Sequence, residues 1–139
     1  MNESHNQPWV GAVMALGVVY CLVGIVFAAP TSHVRVWRVA AWVVSAAAYA
    51  AHVAYEHYGL RNSPRSGARH VALAVALGAF GLAAAANIHS LPVASTNQHR
   101  RLLLLALVIW PVMTALPAFV VSLAARWVLA RLPQGAQTK

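Results

Sequence analysis

Hydrophobic positions run almost unbroken through four segments of this chain: roughly Pro8–Ala29, Trp37–Tyr58, His70–Leu91 and Leu102–Ala125. Nearly every charge falls in the gaps between them. Each run has at least about 20 residues, enough helix to cross about 30 Å of hydrocarbon. A soluble core helix imitates one such run, but four in succession with arginine-bearing links predict four transmembrane helices. The gaps leave no room for an extramembrane catalytic domain, so any chemistry or transport belongs inside the bundle or at its mouths. Short links also make consecutive helices antiparallel neighbours. The expected fold is therefore all-α, an integral membrane four-helix bundle with up-down-up-down topology, forming one transmembrane domain over residues 1–139.

The links carry ordinary connector chemistry. Pro30-Thr31-Ser32 is expected to end the first helix and cap the second, and Gly59 to close the second in a left-handed conformation. Ser63-Pro64 and Ser66-Gly67 read as turns before the third helix, and His89-Ser90-Leu91-Pro92 as its stop. The fourth helix contains Pro111 and Pro117, each of which removes an intrahelical bond, so a kink is expected there. Thr114, between them, is placed to serve carbonyls the prolines free.

Within the second run the polar positions are not scattered. Arg38, Ser45, Tyr49, His52 and Glu56 are spaced seven, four, three and four residues apart. At 3.6 residues per turn they form one stripe covering well under half the circumference. Ionisable groups in a span are costly and face the bundle interior or water. The stripe should look inward toward the third helix, with His70 at its near end and Asn87 and His89 at its far end. Glu56 is the single acidic residue in any span, and His52 sits about 9 Å deeper than Tyr58. A structural origin competes with a functional one: Arg38 and Glu56 can reach headgroups from the helix ends, and Ser45 and Tyr49 can hydrogen-bond neighbouring helices.

Small residues mark packing faces. Gly17, Cys21, Gly24 and Ala28 recur every three to four residues in the first run; Ala74–Gly78 and Gly81–Ala85 are close-approach pairs in the third. Such residues let helix backbones meet where lipid supplies no hydrophobic drive. Gly17, Cys21, Gly24, Gly78 and Gly81 are accordingly expected at helix contacts.

Composition agrees with the pattern: 60% of residues are hydrophobic, 9% are charged, and mean hydropathy is +0.64. A soluble domain carries about 25% charged residues. The net charge of +8 does not imply nucleic acid, because the ten basic residues are spread over all the links instead of one face. The lipid bilayer is the expected partner, together with further copies of the chain or other membrane subunits. Arg61, Arg65, Arg69, Arg126, Arg131 and Lys139 fall on the side of the termini, and Arg35, Arg38, Arg100 and Arg101 on the other. Six against four predicts a multi-pass protein of the inner or plasma membrane with both termini cytoplasmic, and so thin a bias keeps dual topology open. Met1–Gln7 has no basic residue, so the first run reads as a span and not a signal peptide.

Candidate chemistry is sparse. The chain has seven histidines but no HxxxH, CxxC or carboxylate-rich cluster, so no metal site is expected. Haem requires facing histidines at matched depth. Only His57 and His70 come near that arrangement. Cys21 is the single cysteine and makes no intrachain disulfide. Ser45, Ser90 and Ser122 lack a neighbouring base and orienter, there is no Asp, and Glu3 is the only other acidic residue. No catalytic residues, and no enzyme, are expected. In length and span count the chain resembles the small multidrug transporters and the fluoride-channel subunits, four-helix proteins that work as dimers. The first of these families places a glutamate mid-membrane in its first helix, where this chain has no charge. The glycine and arginine motifs of the second are not evident, so neither resemblance assigns functional residues. The leading expectation is an accessory or assembly subunit of a larger membrane complex. The alternative is a small oligomeric proton-coupled transporter or channel using the Arg38–Glu56 stripe, and a haem-binding electron-transfer subunit is a third.

Overall fold

A computed structural model describes residues 8–28, 32–90 and 97–131. Four helices follow one another: α1 (Pro8–Ala28), α2 (Val34–Ala54), α3 (Pro64–Ser90) and α4 (Asn97–Arg131). Each contains a stretch long and apolar enough to cross a membrane. A π-helical turn, Tyr55–Gly59, continues α2. Glu3, Pro30, Thr31, Leu91, Pro92 and Lys139 lie outside the described residues.

The helix ends differ from the expected ones for local reasons. Proline at the first helical position loses no bond, because that N–H would be unpaired anyway. Pro64 therefore opens α3, six residues before the expected start at His70. Ser63 behaves as its cap: its Oγ accepts from the Ser66 N–H at 3.3 Å and its carbonyl from the Gly67 N–H at 3.0 Å. Ser66-Gly67 thus belongs to the first turn of a helix and not to a loop. At the start of α2 the carbonyl of His33, a left-handed residue with φ 55°, accepts from the Val36 and Trp37 N–H groups. At its end Gly59 has no positive φ; Arg61 takes the left-handed conformation instead, with φ 48°. The reversal is postponed because the π turn carries the helix on, its Leu60 N–H reaching the Tyr55 carbonyl at 3.1 Å.

α4 is a continuous helix with Pro111 and Pro117 inside it. By the i→i−4 pattern the carbonyls these prolines leave without an N–H are those of Leu107 and Met113. Thr114 serves two others, donating to the carbonyls of Trp110 and Pro111 at 3.0 Å each.

α3 is the central helix. It packs along α4 on one side and along α1 on the other, whereas α2 packs on α1 and touches α3 and α4 lightly. The buried positions of α3 are Gly67, Ala68, Val71, Ala74, Gly78, Ala79, Ala83 and Asn87, spaced at helical period and nearly all small. Large apolar side chains turn outward, as with Trp42 (74% exposed) and Ile88 (72%). That is the inverse of a soluble protein and the arrangement lipid favours. Ring contacts and hydrogen bonds show which ends adjoin. Trp9, Glu56, His70 and Arg126 meet at one end. At the other, Phe27 meets Trp37 and Asn87 meets the Leu103 carbonyl.

Candidate functional site

Side chains converge where the start of α1, the π turn, the start of α3 and the end of α4 come together, the last three supplying the polar groups. Glu56 is fully buried there. Asn62 Nδ2 donates to its Oε2 at 2.9 Å, and His70 Nδ1 lies 3.2 Å from both carboxylate oxygens. Arg126 is 1% exposed; its Nη1 stands 4.0 Å from Glu56 Oε2, and its Nη2 donates to the carbonyls of Asn62 and Ser63. Trp9 covers the cluster, stacked on His70 with centroids 4.5 Å apart and planes 6° from parallel. A buried carboxylate is tolerated only with a cation and several donors around it. Here one guanidinium, one amide and one imidazole supply them. Gly67 completes the seat: a Cβ at this position would run into the Arg126 guanidinium, so the missing side chain makes the slot in which the arginine lies.

One turn along α2 from Glu56 is His52, 1% exposed, with neither ring nitrogen hydrogen-bonded among the described residues. Buried polar groups left unmatched are rare, because each forfeits its hydration without compensation. A further turn along, Tyr49 donates its hydroxyl to the Ala118 carbonyl and so joins α2 to α4. Ser122, fully buried, donates to the Phe119 carbonyl of its own helix at 3.1 Å.

Beyond Tyr49 the helices part around a cavity of about 870 Å³. Arg38, Ser45 and Tyr49 line it from α2, flanked by Trp37 and Trp42. The opposite wall is formed by Gly78, Ala79 and Leu82 of α3 with Trp110 and Thr114 of α4. The α2 stripe is thus divided: its first three members face open space, and His52 and Glu56 lie sealed beyond it. Asn87 and His89 are not among the cavity-lining residues. Asn87 is buried between α3 and α4, donating to the Ala83 and Leu103 carbonyls at 2.9 Å each, and His89 is exposed. Physically, Asn87 answers a backbone carbonyl of the neighbouring helix and not a path. The contacts of His57 and His70 also differ: His57 is edge-on to Tyr58, whereas His70 faces Glu56 and Trp9. Among the described residues no three His, Cys, Asp or Glu gather as a metal site would require.

The small residues form the seam between α1 and α3. A Cβ at Gly78 would stand 2.5 Å from Tyr20 Cβ and 3.1 Å from the Gly17 carbonyl. One at Gly17 would stand 3.0 Å from Leu77 Cβ, one at Gly24 3.0 Å from Leu82, and one at Gly81 2.8 Å from Cys21 Sγ.

Arg126, Asn62 and Trp9 are members of the cluster that the sequence reading did not single out: it placed Arg126 only on the side of the termini. One signal for Arg126 was present: it follows Ser122 by one turn, on the face opposite the helix's large apolar side chains. Asn62 had none, since its role depends on the chain reversal at Arg61. The comparisons add no relative to this geometry: no known protein family, curated protein or solved structure matches the chain.

Proposed function

We propose that this chain is a small multi-pass membrane protein that admits a solute from one side of the bilayer and passes protons through the α2 stripe, the transporter alternative of the sequence reading. The four helices cross up-down-up-down with both termini cytoplasmic, in the orientation the arginine bias favours. The observation that carries this reading is the unsatisfied His52 between an open cavity and a buried Glu56. An accessory subunit held together by packing has no use for a buried imidazole with two unmatched nitrogens; a proton path needs a group of that kind at that place. The Glu56–His70–Arg126 cluster closes the cytoplasmic end. No catalytic step is assigned, and the cavity's mouth faces the other side of the membrane.

Liposomes holding a pH-sensitive dye test this directly. Under an imposed membrane potential the wild-type protein should acidify or alkalinise the lumen faster than empty liposomes. His52→Leu should abolish that flux while leaving thermal stability unchanged or raised, because it removes an unsatisfied polar group. Wild-type flux equal to that of empty liposomes would overturn the reading and leave the accessory subunit. Flux that survives His52→Leu would remove the stripe as its path. Cysteine labelling at Ser4 and Thr138 checks the orientation: labelling of the two from opposite sides would end the four-span topology.

A further inference from the structure

The cavity joins two features that seldom occur together. Its walls are largely aromatic and aliphatic, with Trp37, Trp42 and Trp110 around one half, and among the described residues the single charged side chain lining it is Arg38. No Asp or Glu lines it, and Arg38 forms neither a hydrogen bond nor an ion pair among the described residues. The Ser45 hydroxyl is likewise without a hydrogen bond there, about 10 Å further along α2 at 1.5 Å per residue. The volume of about 870 Å³ falls within the range of small-molecule sites, which pair apolar walls with a few placed polar groups.

We propose that the cavity binds a long-chain carboxylate, with its head on Arg38 and its tail running along α2 toward Tyr49. Charge decides the head. One guanidinium with no competing acid accepts a carboxylate through two parallel hydrogen bonds and balances its single negative charge. A cationic amphiphile would meet repulsion, and a doubly charged phosphate would carry one charge more than the Arg38 guanidinium balances. Geometry decides the tail. Arg38 to Tyr49 covers about 16 Å of helix, and the wall opposite offers Val75, Ala79 and Leu82 to methylenes, with the Thr114 hydroxyl turned onto carbonyls of its own helix and the Tyr20 hydroxyl as a further polar group. The far end is closed where Tyr49 reaches the Ala118 carbonyl, so the chain terminus stops short of His52 and Glu56.

This names the solute of the path described above, yet binding and flux are read separately, and binding without flux would remove the transport reading alone. The test uses the full-length protein in nanodiscs of zwitterionic lipid, with Trp9→Phe and Trp127→Phe in the background so that the remaining tryptophans report. A terminally brominated dodecanoate should quench their fluorescence saturably. Dodecylammonium added first should leave that titration unchanged, and dodecyl phosphate should compete weakly. Arg38→Gln should weaken binding about tenfold or more, the loss expected of a charge-assisted hydrogen-bonded pair. Ser45→Phe, which fills the cavity from α2 without touching the arginine, should abolish saturable quenching. A linear titration in the wild type, which marks partition into lipid only, would overturn the proposal. So would an Arg38→Gln titration matching wild type, or equal competition by the ammonium. Phosphate binding more tightly than carboxylate would move the site to a lipid headgroup and overturn the carboxylate assignment.

Discussion

The two ends of this bundle are held by different forces. At the end where Trp9, Glu56, His70 and Arg126 meet, charge and hydrogen bonds join the π turn, α3 and α4 around buried groups, and α1 adds Trp9 stacked on His70. At the other end α3 still grips α1 and α4, and α2 keeps its Phe27–Trp37 contact with α1 but parts from α3 and α4, where a cavity opens. The contrast follows from what lipid leaves available. Apolar side chains gain nothing by leaving hydrocarbon for one another, so helices are joined by close backbone approach or by polar contacts. α1 and α3 have glycines for the first. α2 has no glycine between Val34 and Ala54, and its polar contacts are gathered in its last two turns and the π turn. Where it has neither device, it separates from α3 and α4.

The largest effect should come from breaking the charged end. Arg126→Met leaves Glu56 buried with only His70 and Asn62, and removing one partner of a buried pair costs about 3–5 kcal/mol. Thermal or denaturant unfolding in micelles should show it. A loss under about 1 kcal/mol would mean that the charges do not hold this end. Next come the backbone seams. Gly78→Ala forces a methyl against Tyr20 and should cost about 1–3 kcal/mol by overpacking. Gly11→Ala, where an added Cβ meets nothing within 4 Å, should stay within about 0.5 kcal/mol. Equal effects at the two glycines would erase the distinction between seam and lipid face.

Smaller changes sharpen the same contrast. Asn87→Leu removes both of that side chain's donations and should cost between about 0.6 and 1.7 kcal/mol, from the average to the largest value for polar contacts between membrane helices. Tyr49→Phe removes the hydroxyl's bond to the Ala118 carbonyl, which joins α2 to α4 where the cavity closes, and should cost about 0.6 kcal/mol. Its clearer signature should be faster hydrogen exchange confined to α2. Exchange rising equally in α1 and α3 would show that α2 is no looser than the rest.

Four helices of membrane-crossing length were legible in the chain because hydrocarbon thickness and apolar run length are one-dimensional quantities, readable without a partner. The register of Arg38, Ser45, Tyr49, His52 and Glu56 was legible for a similar reason: helical period is a local property. What answers each of those groups was not. Glu56 announced that it needed a cation, yet three arginines in the adjoining link and two in the C-terminal region were all near enough in sequence to supply it. The choice of Arg126 depended on Gly67 making room and on the reversal at Arg61 presenting the Asn62 and Ser63 carbonyls. The fate of Asn87 depended likewise on a carbonyl of another helix. Sequence alone determined the helices and the faces on which their polar groups lie. Only the tertiary structure decided which faces meet and where α2 leaves a cavity, because contacts between helices are relations among distant residues that no local period encodes.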